Sequence, residues 1–210
     1  MNTINFADES TPVAPSKIVC VGRNYLRHIE ELGNTPAEEM VIFIKPNSAI
    51  SSKLVVDGHS DIHYEAEISF MLNNGRLAAM GAGIDLTRRD VQTRLKKQGL
   101  PWERAKAFDG SAVFTPFVKI DGFDDDLCVR LDINGKTVQH GGIASMIYKP
   151  ATILRECQQF LSLVDGDIIM TGTPEGVGPL HPGDRLDLSL MQGEQSITHT
   201  AWTVQVAQPR

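Results

Sequence analysis

The stretch His63-Tyr64-Glu65-Ala66-Glu67-Ile68-Ser69-Phe70-Met71-Leu72 limits the possible folds more than any other part of this chain. Side chains alternate along a strand. One face would then carry Tyr64, Ala66, Ile68, Phe70 and Leu72, and needs a core to cover it. The other would carry Glu65, Glu67, Ser69 and Met71. Two carboxylates at i and i+2 lie about 7 Å apart and repel when both are ionised. On a solvated face such a pair has no special meaning. On a buried face it requires a cation. Asp85 is a candidate third ligand, at the end of an apolar and glycine-rich stretch and just before a predicted helix. Three carboxylates without cysteine or paired histidine favour a hard, oxygen-seeking ion, Mg²⁺ or Mn²⁺. With few protein ligands the remaining positions stay open, which suits catalysis.

The rest of the chain reads as a β-rich α+β domain. Strands are expected at Lys17–Val21, Val41–Ile44, Val55–Val56, Ile62–Leu72, Val113–Ile120, Leu127–Ile133, Lys136–His140, Ile168–Met170 and Arg185–Leu190. Asn73-Asn74-Gly75 and Asn134-Gly135 are hairpin turn signals. Helices are expected at Tyr25–Leu32, Asp90–Gln98 and, amphipathic, Pro150–Leu163. The first helix should stop at Gly33-Asn34-Thr35-Pro36, and the Val55–Val56 strand should turn at Asp57-Gly58. Residues 1–16 read as a polar leader or edge segment and 17–210 as a single domain. The acidic run Asp124-Asp125-Asp126 reads as a solvated loop.

Composition excludes several classes of partner. Twenty Lys and Arg against 26 Asp and Glu give a net charge of −6, the wrong sign for nucleic acid or an anionic membrane. No apolar run approaches the ~20 residues of a membrane span, and the N-terminus lacks a signal-peptide pattern. Cys20, Cys128 and Cys157 are odd in number and widely spaced, so a reducing, cytoplasmic setting is expected. Gly81-Ala82-Gly83 lacks the third glycine of a dinucleotide fingerprint, and neither a Walker loop nor a Gly-x-Ser-x-Gly elbow is present.

Three further groups are candidates. His28 and Glu31, three apart on a helix, can touch, and the carboxylate would raise the basicity of the imidazole and fix its tautomer. Lys106, between Trp102 and Phe108, reads as a partly buried cation or a snorkelling lysine. The loop Thr171-Gly172-Thr173-Pro174-Glu175-Gly176 offers amides and hydroxyls suited to a carboxylate.

Together these pieces resemble the fumarylacetoacetate hydrolase family. The order is Cys20-Val21-Gly22-Arg23-Asn24-Tyr25, Phe43-Ile44-Lys45-Pro46, His63-Tyr64-Glu65-Ala66-Glu67, Asp85-Leu86-Thr87-Arg88-Arg89-Asp90-Val91-Gln92, Pro101-Trp102 with Ala105-Lys106, and Gly166-Asp167 with Thr171-Gly172-Thr173-Pro174. The resemblance is strongest to the small acylpyruvate hydrolase and oxaloacetate decarboxylase branch. It implies a mixed β-sandwich roll, a homodimer, and Mg²⁺ or Mn²⁺ on Glu65, Glu67 and Asp85. It also implies substrate contacts from Arg23, Arg89, Gln92, Lys106, Thr171 and Thr173, and water activation by His28 with Glu31. The expected reaction is hydrolysis of a 3-acylpyruvate to pyruvate and a carboxylic acid. Oxaloacetate decarboxylation, an isomerase, tautomerase or hydratase reaction, and a non-catalytic paralogue are the alternatives. One departure stands out. Most members of that family carry a helical segment between the Glu-x-Glu strand and the Asp-x-Thr helix, whereas only 17 residues lie between Glu67 and Asp85 here. A short glycine-rich loop is expected in its place, with effects on the dimer surface or on the setting of Asp85.

Overall fold

The computed structural model describes residues 1–8, 10–33, 35, 37–57 and 60–207. Asn34, Pro36 and Gly58, which belong to two predicted stops, lie outside the described residues. In chain order the first strands are β1 (Lys17–Gly22), β2 (Val41–Pro46), β3 (Val55–Val56), β4 (Ile62–Tyr64), β5 (Ala66–Asn73), β6 (Arg76–Asp85) and β7 (Thr87–Arg88). Then come β8 (Ala112–Phe114), β9 (Val118–Lys119), β10 (Leu127–Ile133), β11 (Lys136–Gly142), β12 (Ile168–Met170), β13 (Gly178–Pro179), β14 (Arg185–Gln192), β15 (Gln195–Thr203) and β16 (Gln205–Val206). The helices are short: α1 (Leu26–Glu31), α2 (Arg89–Lys97), α3 (Glu103–Lys106) and α4 (Pro150–Cys157). Among the described residues, no helix is long and apolar enough to cross a membrane.

The main sheet has seven strands in the order β2-β1-β12-β5-β6-β8, with β9 also paired to β6. It is mixed, because β1 and β12 run parallel while the other pairs run antiparallel. A four-stranded antiparallel sheet, β11-β10-β14-β15, packs across it. This is the mixed β-sandwich roll expected. The main core lies between the sheets. Ile68, Phe70, Ala82 and Ile84 of β5 and β6 meet Val129, Leu131, Leu186, Leu188 and Leu190 of β10 and β14. Strand β14 shows the simple rule, with every second residue buried. Strand β5 does not, because it is buried on both faces from Ala66 to Leu72. Its second face belongs to another cluster, which holds Met71 with Ile18, Cys20, Ile168, Met170 and Phe117. The carboxylate face of β5 therefore points into the molecule.

The structure corrects the sequence reading at several elements. The predicted strand 62–72 breaks at Glu65, so that β4 joins a small sheet, β13-β4-β7, while β5 stays in the main one. The predicted strand 113–120 is divided into β8 and β9 around Pro116, which has no N–H to give a ladder. Helix α4 ends at Cys157 rather than Leu163. Its last turn tightens through Phe160 N and Leu161 N on the Cys157 carbonyl, and Phe160 is left exposed. The short loop expected between Glu67 and Asp85 is a β-hairpin. Asn74 and Gly75 turn it with φ of 49° and 70°, and the ten residues of β6 return along β5.

That return requires glycine. Gly81 and Gly83 fall on the same face of β6 as Asp85, under the rings of Phe117 and Phe114. A Cβ on Gly83 would sit 2.7 Å from Phe114 and 3.0 Å from the Met170 methyl. Residues 1–16 also pair with the body of the fold. Phe6 bridges Phe117 and Asn2 is hydrogen-bonded to Asn47, while Ile4 bridges Val13 within the segment itself.

Candidate active site

Glu65, Glu67 and Asp85 converge. One carboxylate oxygen from each lies within 4.8 Å of the others, and all three residues are buried. The fold explains the convergence. Gly83 pairs with Glu67 across the β5–β6 ladder, so Asp85 falls two residues along on the same face. The interruption of the strand at Glu65 places it beside them, and the Asp85 amide donates to the Glu65 carbonyl at 2.8 Å.

Cations surround the triad. Lys106 Nζ donates to Glu65 Oε2 at 2.8 Å, Asp85 Oδ2 at 2.6 Å and Thr87 Oγ1 at 2.6 Å. Arg89 donates to Glu65 Oε1 at 2.5 Å and to Gln92 Oε1 at 2.7 Å. Lys45 meets Asp85 Oδ1 at 2.9 Å, an ion pair out of hydrogen-bond alignment. It also donates to the carbonyls of Leu86, Lys106 and Ser111 and to the Ser111 hydroxyl. These contacts set the protonation states. Burial opposes ionisation of Glu65, yet Lys106 and Arg89 overcome it and hold the carboxyl well below its usual range. Glu67 goes the other way, because burial and the charges of Asp85 and Glu65 push its pKa up. Among the described residues, its carboxylate accepts one hydrogen bond, from the Gly172 amide at 2.7 Å. Lys106 is buried, but Asp85 and Glu65 hold its ammonium charged.

The donor set fits a divalent ion. Three buried carboxylates offer hard oxygen ligands, and Glu67 is the one left short of counter-charge. A cation there would remove the repulsion that raises its pKa.

A small cleft of about 30 Å³ opens over the triad. It is lined by nine of the eleven expected residues: Arg23, His28, Glu65, Glu67, Asp85, Arg89, Gln92, Lys106 and Thr173. Glu31 stands behind His28. Its carboxylate lies 3.4 Å from His28 Nδ1 and accepts from the Gly176 amide at 3.0 Å. That pairing leaves His28 Nε2 as the bare nitrogen. Burial lowers the His28 pKa, against the pull of Glu65 and Glu31. Thr171 does not line the cleft. Its hydroxyl donates to the Ile68 carbonyl at 2.9 Å and pins the loop to β5. Thr173 is likewise tied to Ala66 O, at 2.9 Å, while still lining the cleft. The loop amide nearest the triad, that of Gly172, is already committed to Glu67.

Sequence reasoning missed four contributors. Lys45 stood in the Phe43-Ile44-Lys45-Pro46 motif without a role. Gln139 accepts from Ala66 N and donates to Thr173 Oγ1, joining β5 to the loop. Phe43 and Trp102 form the apolar wall, their rings 5.9 Å apart.

A family model described as fumarylacetoacetate (FAA) hydrolase C-terminal matches residues 17–205. The chain belongs to the fumarylacetoacetate hydrolase family. Among curated relatives, oxaloacetate tautomerase YcgM of Escherichia coli is 38% identical over 192 residues, or 83% of this chain and 88% of that protein. The mitochondrial oxaloacetate tautomerase FAHD1 of Mus musculus is 36% identical over 190 residues, covering 82% and 86%. Among solved structures, fumarylpyruvate hydrolase from Pseudomonas aeruginosa in complex with Mn²⁺ and pyruvate matches with a TM-score of 0.90. It is 27% identical, over 98% of this chain and 96% of that one. The carboxylate triad thus lies in a family fold in which one member has been seen with a divalent ion.

Proposed function

We propose that this chain is a divalent-metal-dependent enzyme of small 2-oxo acids, and that its reaction is the keto–enol tautomerisation of oxaloacetate. The observation that carries the reading is the buried triad with Lys106 set between two of its carboxylates. The similarity to curated oxaloacetate tautomerases supports this choice of substrate. Glu65, Glu67 and Asp85 would hold Mg²⁺ or Mn²⁺, which supplies Lewis-acid polarisation of a bound 2-oxo oxygen.

The chain's own residues do the rest. Gln92, Arg89 and Thr173 line the cleft where a carboxylate would be held and oriented. Lys106, kept charged, stabilises negative charge growing on the enolate oxygen. His28, kept neutral by burial, accepts a proton from the carbon next to the oxo group at Nε2 and returns it to oxygen. Glu31 steadies the imidazolium formed in between. Trp102 and Phe43 limit water at the reacting carbon.

The test follows the ultraviolet absorbance of enol oxaloacetate as it relaxes to the keto form. Mg²⁺-loaded protein should exceed the buffer rate, EDTA should abolish the excess, and His28→Ala should remove most of it. The acid limb of the rate should lie below the ordinary imidazole range, because burial depresses the His28 pKa. A metal-loaded protein that never exceeds the buffer rate would rule the reading out.

A second reading, hydrolysis of an acylpyruvate, is favoured by the His28–Glu31 pair, which can deprotonate water. Pyruvate release from an acylpyruvate panel separates the two.

A further inference from the structure

Strand β12 stops at Met170, yet the edge of β5 beside it runs on to Ala66. Side chains complete that edge. The Thr171 hydroxyl donates to the Ile68 carbonyl and the Thr173 hydroxyl to the Ala66 carbonyl, each at 2.9 Å. The Ala66 amide donates to Gln139 Oε1, also at 2.9 Å. Gln139 is buried and comes from β11, in the other sheet. Strand β11 reaches the loop because Gly141 lies against Pro174, where a Cβ would come within 2.5 Å of the proline ring.

These contacts fix the Gln139 amide by chemistry alone. A backbone N–H can only donate, and a backbone carbonyl can only accept. Oε1 must therefore face Ala66 N, and Nε2 must face the Pro174 carbonyl, 2.9 Å away. The second Nε2 proton is left for Thr173 Oγ1, at 2.9 Å. A hydroxyl that accepts there has a single proton to give elsewhere. Among the described residues that proton goes to the Ala66 carbonyl. Thr173 lines the cleft, so a ligand group there meets a hydroxyl already held in place and polarised as a donor. A carboxylate suits it, because it only accepts and its charge outcompetes a neutral carbonyl for the proton.

We propose that Gln139 is a positioning residue that acts through Thr173, presenting its hydroxyl as a donor to the carboxylate of a bound 2-oxo acid. The proposal rests on the reading above in placing that carboxylate beside Thr173. Without Gln139 the hydroxyl loses the bond that orients it, and the released Pro174 carbonyl competes for its proton.

The test is a double-mutant cycle read by calorimetric titration of oxalate, a non-reacting ligand made only of carboxylates, into the Mg²⁺-loaded protein. Thr173→Val should weaken oxalate about tenfold or more, the worth of a hydrogen bond to a charged group. Gln139→Met should weaken it about three- to tenfold, with Mg²⁺ affinity moved less than about threefold. In Thr173→Val, adding Gln139→Met should change oxalate affinity less than about twofold, because the contact it serves is gone. A merely structural glutamine would give additive losses, or a loss of Mg²⁺ affinity as large as that of oxalate, and either result overturns the proposal. So does full oxalate affinity in Gln139→Met, or a natural protein that binds no oxalate. If Gln139→Met does not fold, NMR of the natural protein carries the test. The Gln139 side-chain amide protons, identified by their contact with the Thr173 methyl, should shift on oxalate binding and stay in place in Thr173→Val. Signals that oxalate leaves unmoved in the natural protein overturn the proposal. The two proposals fail separately. The coupling without oxaloacetate turnover removes the tautomerase reading alone. Turnover with additive losses removes the role of Gln139 alone.

Discussion

Lys45 is fully buried, yet it carries a charge at the end of the otherwise apolar strand β2. It neutralises one oxygen of Asp85 and ties down three backbone carbonyls, including that of Lys106. One side chain therefore sets both a candidate metal ligand and the lysine beside it. Breaking a buried ion pair by removing one partner costs about 3–5 kcal/mol, because the remaining charge stays buried without compensation. Lys45→Met should accordingly lower the urea-unfolding free energy of the metal-free protein by that amount. Mg²⁺ should recover part of the loss, since a divalent ion beside Asp85 replaces the missing charge. Unchanged stability in EDTA would show that Lys45 is dispensable. At this scale the sequence was only partly legible. The triad could be read only through its place in the family's order of motifs, because strand spacing alone leaves a solvated pair of carboxylates equally open. Lys45 could not, because a lysine just before Pro46 reads equally well as a solvated strand end. Its burial depends on Ser111 and Leu86, which are distant in sequence.

Among the elements, the β5–β6 hairpin does the most to build the site. It carries Glu67 and Asp85 on paired strands and needs no helical segment between them. Its glycines looked like loop residues, because glycine weakens a strand on its own. They are in strand conformation because Phe114 and Phe117 lie over the space where side chains would be. That cover comes from about thirty residues further along the chain, so no local pattern could reveal it. Strand β15 was missed for a related reason. It is a mostly exposed edge strand in which Thr198 alone is buried, which leaves no apolar alternation to read. The hairpins at Asn74-Gly75 and Asn134-Gly135 were legible, since positive φ at both turn positions is a local demand. Gly83→Ala tests the packing. The new methyl group would meet the Phe114 ring and the Met170 methyl, an overpacking cost of about 1–3 kcal/mol. Adding Phe114→Leu should give back part of it, and the pair should be clearly non-additive in urea unfolding. A Gly83→Ala protein as stable as the natural one would mean that the rings move aside freely.

Across the whole molecule, the candidate metal centre would join folding to protonation. Glu67 is the pivot, since burial and its neighbouring carboxylates raise its pKa in the folded state. A group raised on folding binds its proton more tightly in the native state than in the unfolded chain. Its contribution is therefore present at low pH and is lost as pH rises through the folded value. A divalent ion competes with that proton and needs the ionised carboxylate. Metal should thus stabilise the protein more at about pH 8 than at about pH 6, and binding should release protons. At a free metal concentration of about one hundred times Kd, the gain is about 2.7 kcal/mol. Differential scanning calorimetry with Mg²⁺ or EDTA at the two pH values measures it, and calorimetric titration in buffers of different ionisation enthalpy counts the protons. Glu67→Gln should abolish both the pH dependence of the metal effect and the proton release, because an amide has no proton to lose and is a weaker ligand. An equal rise in Tm at both pH values, with no proton released, would place the ion away from Glu67. The same linkage gives the acidic composition a physical meaning. Part of the negative charge would serve a cation enclosed by the fold, and the sandwich can close over three carboxylates because Lys45, Lys106 and Arg89 already offset most of their repulsion.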